Sequence, residues 1–145
     1  MNAVNEDLTI TAAQWQQMRD QLQAALPEEA CGLLAGRGAC VESVYPLENA
    51  AHRPTRFVID PSAQVDAMLD MEASGQELLA VYHSHPQGPP HPSGTDIHEA
   101  GYLRIVHLIW FREDEKWECS AFLIEEGASR RIPLKIKEGP VTSSA

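Results

Sequence analysis

The chain has 145 residues, enough for one domain with an apolar core of its own, and a hydrophobic share of 43% argues against disorder. With 11 basic against 21 acidic residues, its formal charge of −10 argues against nucleic acid or anionic lipid as a partner and favours a basic partner or simple solubility. Cysteine occurs only at Cys31, Cys40 and Cys119, with no close pair of the kind that opens a structural zinc site, so a reduced, cytoplasmic setting is expected. The opening MNAVNEDLTIT lacks the basic and apolar regions of a secretory leader, and no apolar run approaches the roughly 20 residues of a membrane span.

Taken in chain order, Thr11 and Gln14 form a capping box ahead of the periodic set Trp15, Met18, Leu22 and Ala25, which predicts an amphipathic helix ending near Pro27. Ala30 to Ala35, closed by Gly36 and Gly38, reads as a buried strand with Val41 to Leu47 as its hairpin partner. Arg56 to Ile59 reads as another strand. Asp60-Pro61 then starts a second helix, Val65, Met68, Leu69 and Glu72 supply its buried stripe, and Gly75 stops it. Leu78 to His83 is a strand running into a loop that carries Pro86, Pro89, Pro90 and Pro92. A short helix from about Thr95 to Tyr102 follows, then strands Ile105 to Phe111 and Trp117 to Ile124 around a charged turn, and Arg131 to Ile136 as an edge strand. Helices interspersed among hairpins predict an α/β or α+β architecture, a single mixed β-sheet flanked by helices, with residues 1–137 as one domain and 138–145 as a loose tail.

The stretch that carries chemistry is Val81-Tyr82-His83-Ser84-His85-Pro86, followed by the loop and Ser93-Gly94-Thr95-Asp96. Residues two apart on a strand share a face, so His83 and His85 can aim both imidazoles at one point, and Pro86 holds His85 extended. Two imidazoles and one carboxylate leave a fourth tetrahedral position open, the arrangement of a catalytic and not a structural zinc. Each piece alone has a plainer meaning. A His-x-His pair also fits two half-exposed strand residues, Ser93-x-x-Asp96 also fits a capping box, and the proline loop also fits a polyproline ligand. The cap and ligand roles are compatible, because a cap fixes where Asp96 points. His52, His91, His98 and His107 are expected to stand outside the site.

Together these residues resemble the JAMM metallopeptidases, the MPN-plus family, in its short prokaryotic form: His83-x-His85-Pro86, a loop, then Ser93-x-x-Asp96. Upstream, Glu29-Ala30-Cys31-Gly32 resembles the family's other signature, an acid two positions before Cys-Gly, which selects Glu29 over Glu28. The likeness extends through Asn49 to Asp60 and covers the chain to about Phe111. It implies a cytidine-deaminase-like JAMM/MPN fold with one zinc per chain on His83, His85 and Asp96. By the same resemblance, Glu29 is the catalytic general base that takes the proton of a zinc-acidified water, and Ser93 is the donor to the oxyanion. It further implies cleavage of an amide or isopeptide bond after the C-terminal Gly-Gly of a ubiquitin-like or sulfur-carrier β-grasp protein, which would be both substrate and partner. A catalytically silent MPN scaffold is the alternative from another class. Fe(II) in a non-haem oxygenase also accepts two His and a carboxylate, although the Glu29 motif speaks against it.

Overall fold

The computed structural model describes residues 6–51, 57–100 and 104–138. Their elements run β1 (Leu8–Thr11), α1 (Ala12–Ala25), β2 (Cys31–Arg37), β3 (Cys40–Leu47), α2 (Pro61–Ala73), β4 (Glu77–His85), α3 (Gly94–Ala100), β5 (Ile105–Glu113), β6 (Lys116–Glu125), β7 (Ala128–Ile132) and β8 (Leu134–Lys137). One mixed sheet holds the strands in the order β7-β6-β5-β4-β2-β3-β1-β8, with helices packed on it, as expected. The β4–β5 pair is parallel and connected through α3, whereas β2–β3, β2–β4, β5–β6 and β6–β7 are antiparallel.

The capping box at the start of α1 forms as predicted: the Gln14 N–H donates to Thr11 Oγ1 at 3.1 Å and the Thr11 N–H donates to Gln14 Oε1 at 2.9 Å. Asp60 caps α2 with Pro61 in its first turn. A short strand, β1, precedes α1 where no strand was expected; its pairing with β8 and β3 supplies the hydrogen bonds that so short a segment cannot secure locally. The single edge strand expected over Arg131 to Ile136 is instead two strands on opposite edges. Pro133 breaks the run, β7 pairs with β6, and β8 pairs with β1. Because only Pro133 separates β7 from β8, and successive Cα atoms are about 3.8 Å apart, the sheet must curl until its two ends meet. The Leu8 N–H donates to the Pro133 carbonyl at 3.1 Å across that seam.

One face of the curled sheet carries the main core, in which Met18 and Leu22 of α1 join Leu8, Ile10, Leu108, Trp110 and Leu123. The other face takes α2 through Ala67 and Met71, packed on Leu33 and Ala35. This corrects the stripe expected on α2: Val65, Met68 and Leu69 are 56%, 40% and 59% exposed. The small Ala67 permits close approach to the sheet and turns the larger apolar side chains outward. Arg56 to Ile59 is likewise not a strand among the described residues, since Ile59 makes only an isolated bridge to Asn49. Arg56, Tyr102 and His52 lie outside the described residues, as does the expected tail beyond Glu138. No helix among the described residues is long and apolar enough to cross a membrane.

Candidate metal centre

The sheet brings the two sequence motifs together because β2 and β4 are neighbours, with Cys31 directly opposite His83. Gly32 is required at this junction: a Cβ there would lie 2.3 Å from the hydroxyl of Tyr82, which itself donates to Gln21 Oε1 at 2.5 Å. Ser84, the residue between the two histidines, faces the other way and extends the ladder beyond Cys31. Its Oγ accepts the Ala30 N–H at 2.8 Å, and its N–H donates to the Ala30 carbonyl at 2.9 Å. Asn49 Nδ2 donates to the Glu29 carbonyl at 2.9 Å. Ser84 and Asn49 therefore hold the backbone that carries Glu29. Neither was singled out from sequence; the only signal for Ser84 was its place inside His-x-His.

His83, His85, Glu29 and Asp96 are all buried within this junction. The two imidazole centroids are 4.9 Å apart, so the same-face argument holds. His83 Nδ1 lies 3.5 Å from Glu29 Oε1, and its Nε2 lies 3.6 Å from Asp96 Oδ1. His85 Nε2 lies 3.1 Å from Asp96 Oδ2. Ser93 caps α3 while Asp96 in the first turn reaches back: the Asp96 N–H donates to Ser93 Oγ at 3.1 Å, and the Ser93 N–H donates to Asp96 Oδ2 at 2.8 Å. The cap expected of that motif is thus present, and it sets the Asp96 carboxylate beside both histidines. The stiff loop contributes directly, since His85 Nδ1–H donates to the Pro89 carbonyl at 2.8 Å and leaves Nε2 to face inward.

His91 and His98 are exposed. His107 is a buried residue of β5 outside the donor set, as expected from sequence, but it packs against the site. It is 6% exposed, and its ring meets that of His83 edge-on with centroids 5.7 Å apart. Phe57 stacks on His83 from another side at 4.2 Å.

This donor set fits a metal ion. Both ring nitrogens of His83 and Oε1 of Glu29 are buried without a hydrogen-bond partner, and a buried polar atom left unpaired typically costs about 1–3 kcal/mol. Glu29, His83 and His85 offer donor atoms all within 4.8 Å of one another. The Nε2-to-carboxylate separations of 3.1 and 3.6 Å bracket the donor–donor edge of about 3.3 Å expected for a tetrahedron with ligand distances near 2.0–2.1 Å. Glu29 Oε1 approaches His83 from its Nδ1 side.

The electrostatics divide the carboxylates into two kinds. Burial pushes Glu29 up to about 8, with the charge of Asp96 adding to the rise and that of His85 opposing it. Asp96 is also buried, but the hydrogen bond to His85, the His83 charge and the Ser93 N–H outweigh burial and hold it well below the usual carboxylate range. Burial brings His83 down to about 3 against the pull of Asp96, so its imidazole is neutral at neutral pH. Burial also works against His85, yet its bonds to Asp96 and Pro89 raise it above the ordinary value. One carboxylate is thus kept ionised, while the other is shifted to a range where it can hold a proton near neutral pH.

Comparisons with known proteins agree with this fold. The protein of Thermus thermophilus named "Probable TtuB-protein conjugate cleaving protease" is 41% identical over 113 residues, covering 77% of this chain and 72% of that protein. A desampylase of Haloferax volcanii is 36% identical over 86 residues, covering 57% of this chain and 62% of its own. A solution structure from Desulfitobacterium hafniense superposes with a TM-score of 0.83 at 37% identity, over 92% of this chain and 95% of that one. The family described as prokaryotic homologs of the JAB domain matches residues 11–125, from the N-cap of α1 to the end of β6 and through all five candidate residues. This chain therefore belongs to the prokaryotic JAB homologs, the short JAMM-type metallopeptidases.

Proposed function

We propose that this chain is a zinc-dependent peptidase or isopeptidase that cleaves the amide bond after the C-terminal Gly-Gly of a ubiquitin-like or sulfur-carrier β-grasp protein. The observation that carries the reading is the set of orphaned buried atoms on Glu29 and His83, gathered where two imidazoles and an ionised carboxylate converge. His83 and His85 through Nε2, and Asp96 through its carboxylate, would hold one zinc per chain. Bound there, zinc supplies a Lewis acid that polarises the scissile carbonyl and brings the pKa of water towards about 7.

The side chains do the rest. Glu29 accepts a proton from the attacking water as its oxygen bonds to the carbonyl carbon. When the C–N bond breaks, Glu29 returns that proton to the leaving amine; a carboxylate raised towards neutrality by burial serves in both directions. Ser93 Oγ already accepts the Asp96 N–H, which leaves its own proton free to donate to the oxyanion of the tetrahedral intermediate. Asn49 and Ser84 keep Glu29 on its side of the site.

The substrate class is supported by the names of the relatives, one a protease cleaving TtuB-protein conjugates and one a desampylase. Glycine at the two positions before the scissile bond suits a buried site, since it places no Cβ against the walls. The free thiols at Cys31, Cys40 and Cys119 suit a reducing cytoplasm. We take residues 1–137 as the catalytic domain and 138–145 as its tail.

The test is intact-mass analysis of a sulfur-carrier β-grasp protein extended past Gly-Gly by one cysteine, incubated with the zinc-loaded chain. A product ending at Gly-Gly is expected. An intact substrate, with efficient cutting of peptides lacking Gly-Gly, would show the substrate assignment to be wrong.

A further inference from the structure

The two histidines of the centre are held by different means. His85 is fixed by a hydrogen bond, since its Nδ1–H donates to the Pro89 carbonyl at 2.8 Å while its Nε2 meets Asp96 Oδ2 at 3.1 Å. His83 has no such anchor: it is fully buried, yet neither ring nitrogen has a hydrogen-bond partner. The torsion that sets the plane of an imidazole has a broad, roughly two-fold minimum, so an unanchored ring can swing its nitrogens away from a metal. The usual restraint on a ligating histidine is a hydrogen bond from its second ring nitrogen. In His83 that restraint must come from elsewhere.

Neighbouring rings supply it. Phe57 stacks on His83 with centroids 4.2 Å apart and planes 25° apart, and His107 stands perpendicular to it at 90° and 5.7 Å. Turning the His83 ring out of its plane would drive an edge into the stacked Phe57, and close-packed neighbours do not yield to such a motion. Each wall is itself fixed. His107 lies within β5, opposite Val81 of β4 on one side and Phe122 of β6 on the other. Its Nδ1 is buried without a partner, so it meets His83 as a flat ring and not through a hydrogen bond at that atom. Phe57 is seated through the next residue: the Val58 N–H donates to Asn49 Oδ1 at 3.0 Å, and the Val58 carbonyl accepts the Ala50 N–H at 2.8 Å. Asn49 also donates to the Glu29 carbonyl at 2.9 Å, so Glu29 and the ring stacked on His83 share one support.

We propose that His107 and Phe57 are positioning residues for the metal ligand His83, whose imidazole is held by ring packing, in place of a hydrogen bond, in the plane that aims Nε2 at the ion. This rests on the function proposed above and adds the residues that prepare one ligand for the metal. Their loss falls on metal affinity and on the geometry of the ligand set, and the proton transfers of Glu29 come only after.

The test is zinc affinity, measured on the metal-stripped full chain by competition with a chromophoric chelator, together with the visible spectrum of the Co(II)-loaded protein. His107→Ala and Phe57→Leu should each weaken zinc about 10–100-fold, the usual effect of losing a group that orients a ligand, and should shift the cobalt d–d bands. His107→Phe keeps a flat ring and should restore both the wild-type affinity and the wild-type bands. Phe57 is only half-buried and lies outside the sheet, so Phe57→Leu carries the test even where His107→Ala fails to fold. A variant that lowers only the Tm of the metal-stripped protein, with zinc affinity and cobalt bands unchanged, would overturn the proposal by leaving these rings a structural role alone. So would zinc binding in His107→Phe as weak as in His107→Ala, since a nitrogen and not the ring would then hold His83. Failure of wild type to take up zinc would instead defeat the metal site on which the proposal stands.

Discussion

Ser93 and Asp96 hold each other at the start of α3, each accepting the other's backbone N–H, at 3.1 Å on Ser93 Oγ and 2.8 Å on Asp96 Oδ2. The helix cap thereby fixes a carboxylate against two buried imidazoles, so a local rule of helix starts sets where the proposed metal ligand points. It also ties the hydroxyl expected to assist catalysis to that same carboxylate.

Ser93→Ala removes both the cap and the proposed oxyanion donor, and the two losses separate by size. A lost cap costs about 1 kcal/mol, or about 2–4 °C in Tm for a domain of this length. A lost oxyanion donor costs about 10²–10³ in kcat. Thermal melts and steady-state kinetics on the zinc-loaded variant should show both; a lowered Tm with unchanged kcat would leave Ser93 with the cap alone.

Glu29→Gln keeps size and polarity but cannot carry a proton. Turnover should fall by about three powers of ten or more while substrate KM stays near wild type, because the interaction lost belongs to the transition state. Glu28→Gln is the control, and an equal loss there would move the base to the wrong neighbour.

The metal-stripped protein should be most stable near neutral pH and lose stability on both sides. His83 and His107, brought down to about 3 chiefly by burial, favour their neutral forms in the fold. Their contribution is complete above the ordinary value of 6.5 and is lost as pH falls towards 3. Asp96, held low, loses its contribution in the same direction. Glu29, pushed up to about 8, acts oppositely: its contribution is complete below 4.5 and is lost as pH rises through 8. His85, raised by Asp96 and Pro89, adds to that loss above its own folded pKa. Tm measured against pH on chelator-treated protein should show both limbs, with the alkaline limb reduced in Glu29→Gln and the acid limb reduced in His107→Phe. A flat profile in those variants and wild type alike would contradict the assignment.

The centre was legible because its rules are local. Strand alternation places His83 and His85 on one face, and the spacing from Ser93 to Asp96 is that of a cap, so neither needs knowledge of the topology. What failed was non-local. Val65, Met68 and Leu69 have the spacing of a buried stripe, but α2 approaches the sheet through Ala67 and Met71, and periodicity alone does not say which of two adjacent faces lies down. The strand β1 exists because β3 and β8 are beside it, and β8 leaves β7 because Pro133 cannot continue a ladder. His107 looked like any polar residue in an apolar run; only the β4–β5 register, which sets it opposite Val81, brings it beside His83. Ser84 and Asn49 were silent for the same reason, since their partners are distant in sequence.

The central question is which carboxylate holds the metal, because Glu29 and Asp96 both reach the histidines and only one of them should be a ligand. Zinc per chain, measured by elemental analysis after equilibration with limiting free zinc, decides it for wild type, Glu29→Gln and Asp96→Ala. One zinc per chain is expected in wild type and in Glu29→Gln, and little or none in Asp96→Ala. Full zinc in Asp96→Ala with loss in Glu29→Gln would make Glu29 the ligand and contradict its role as the base.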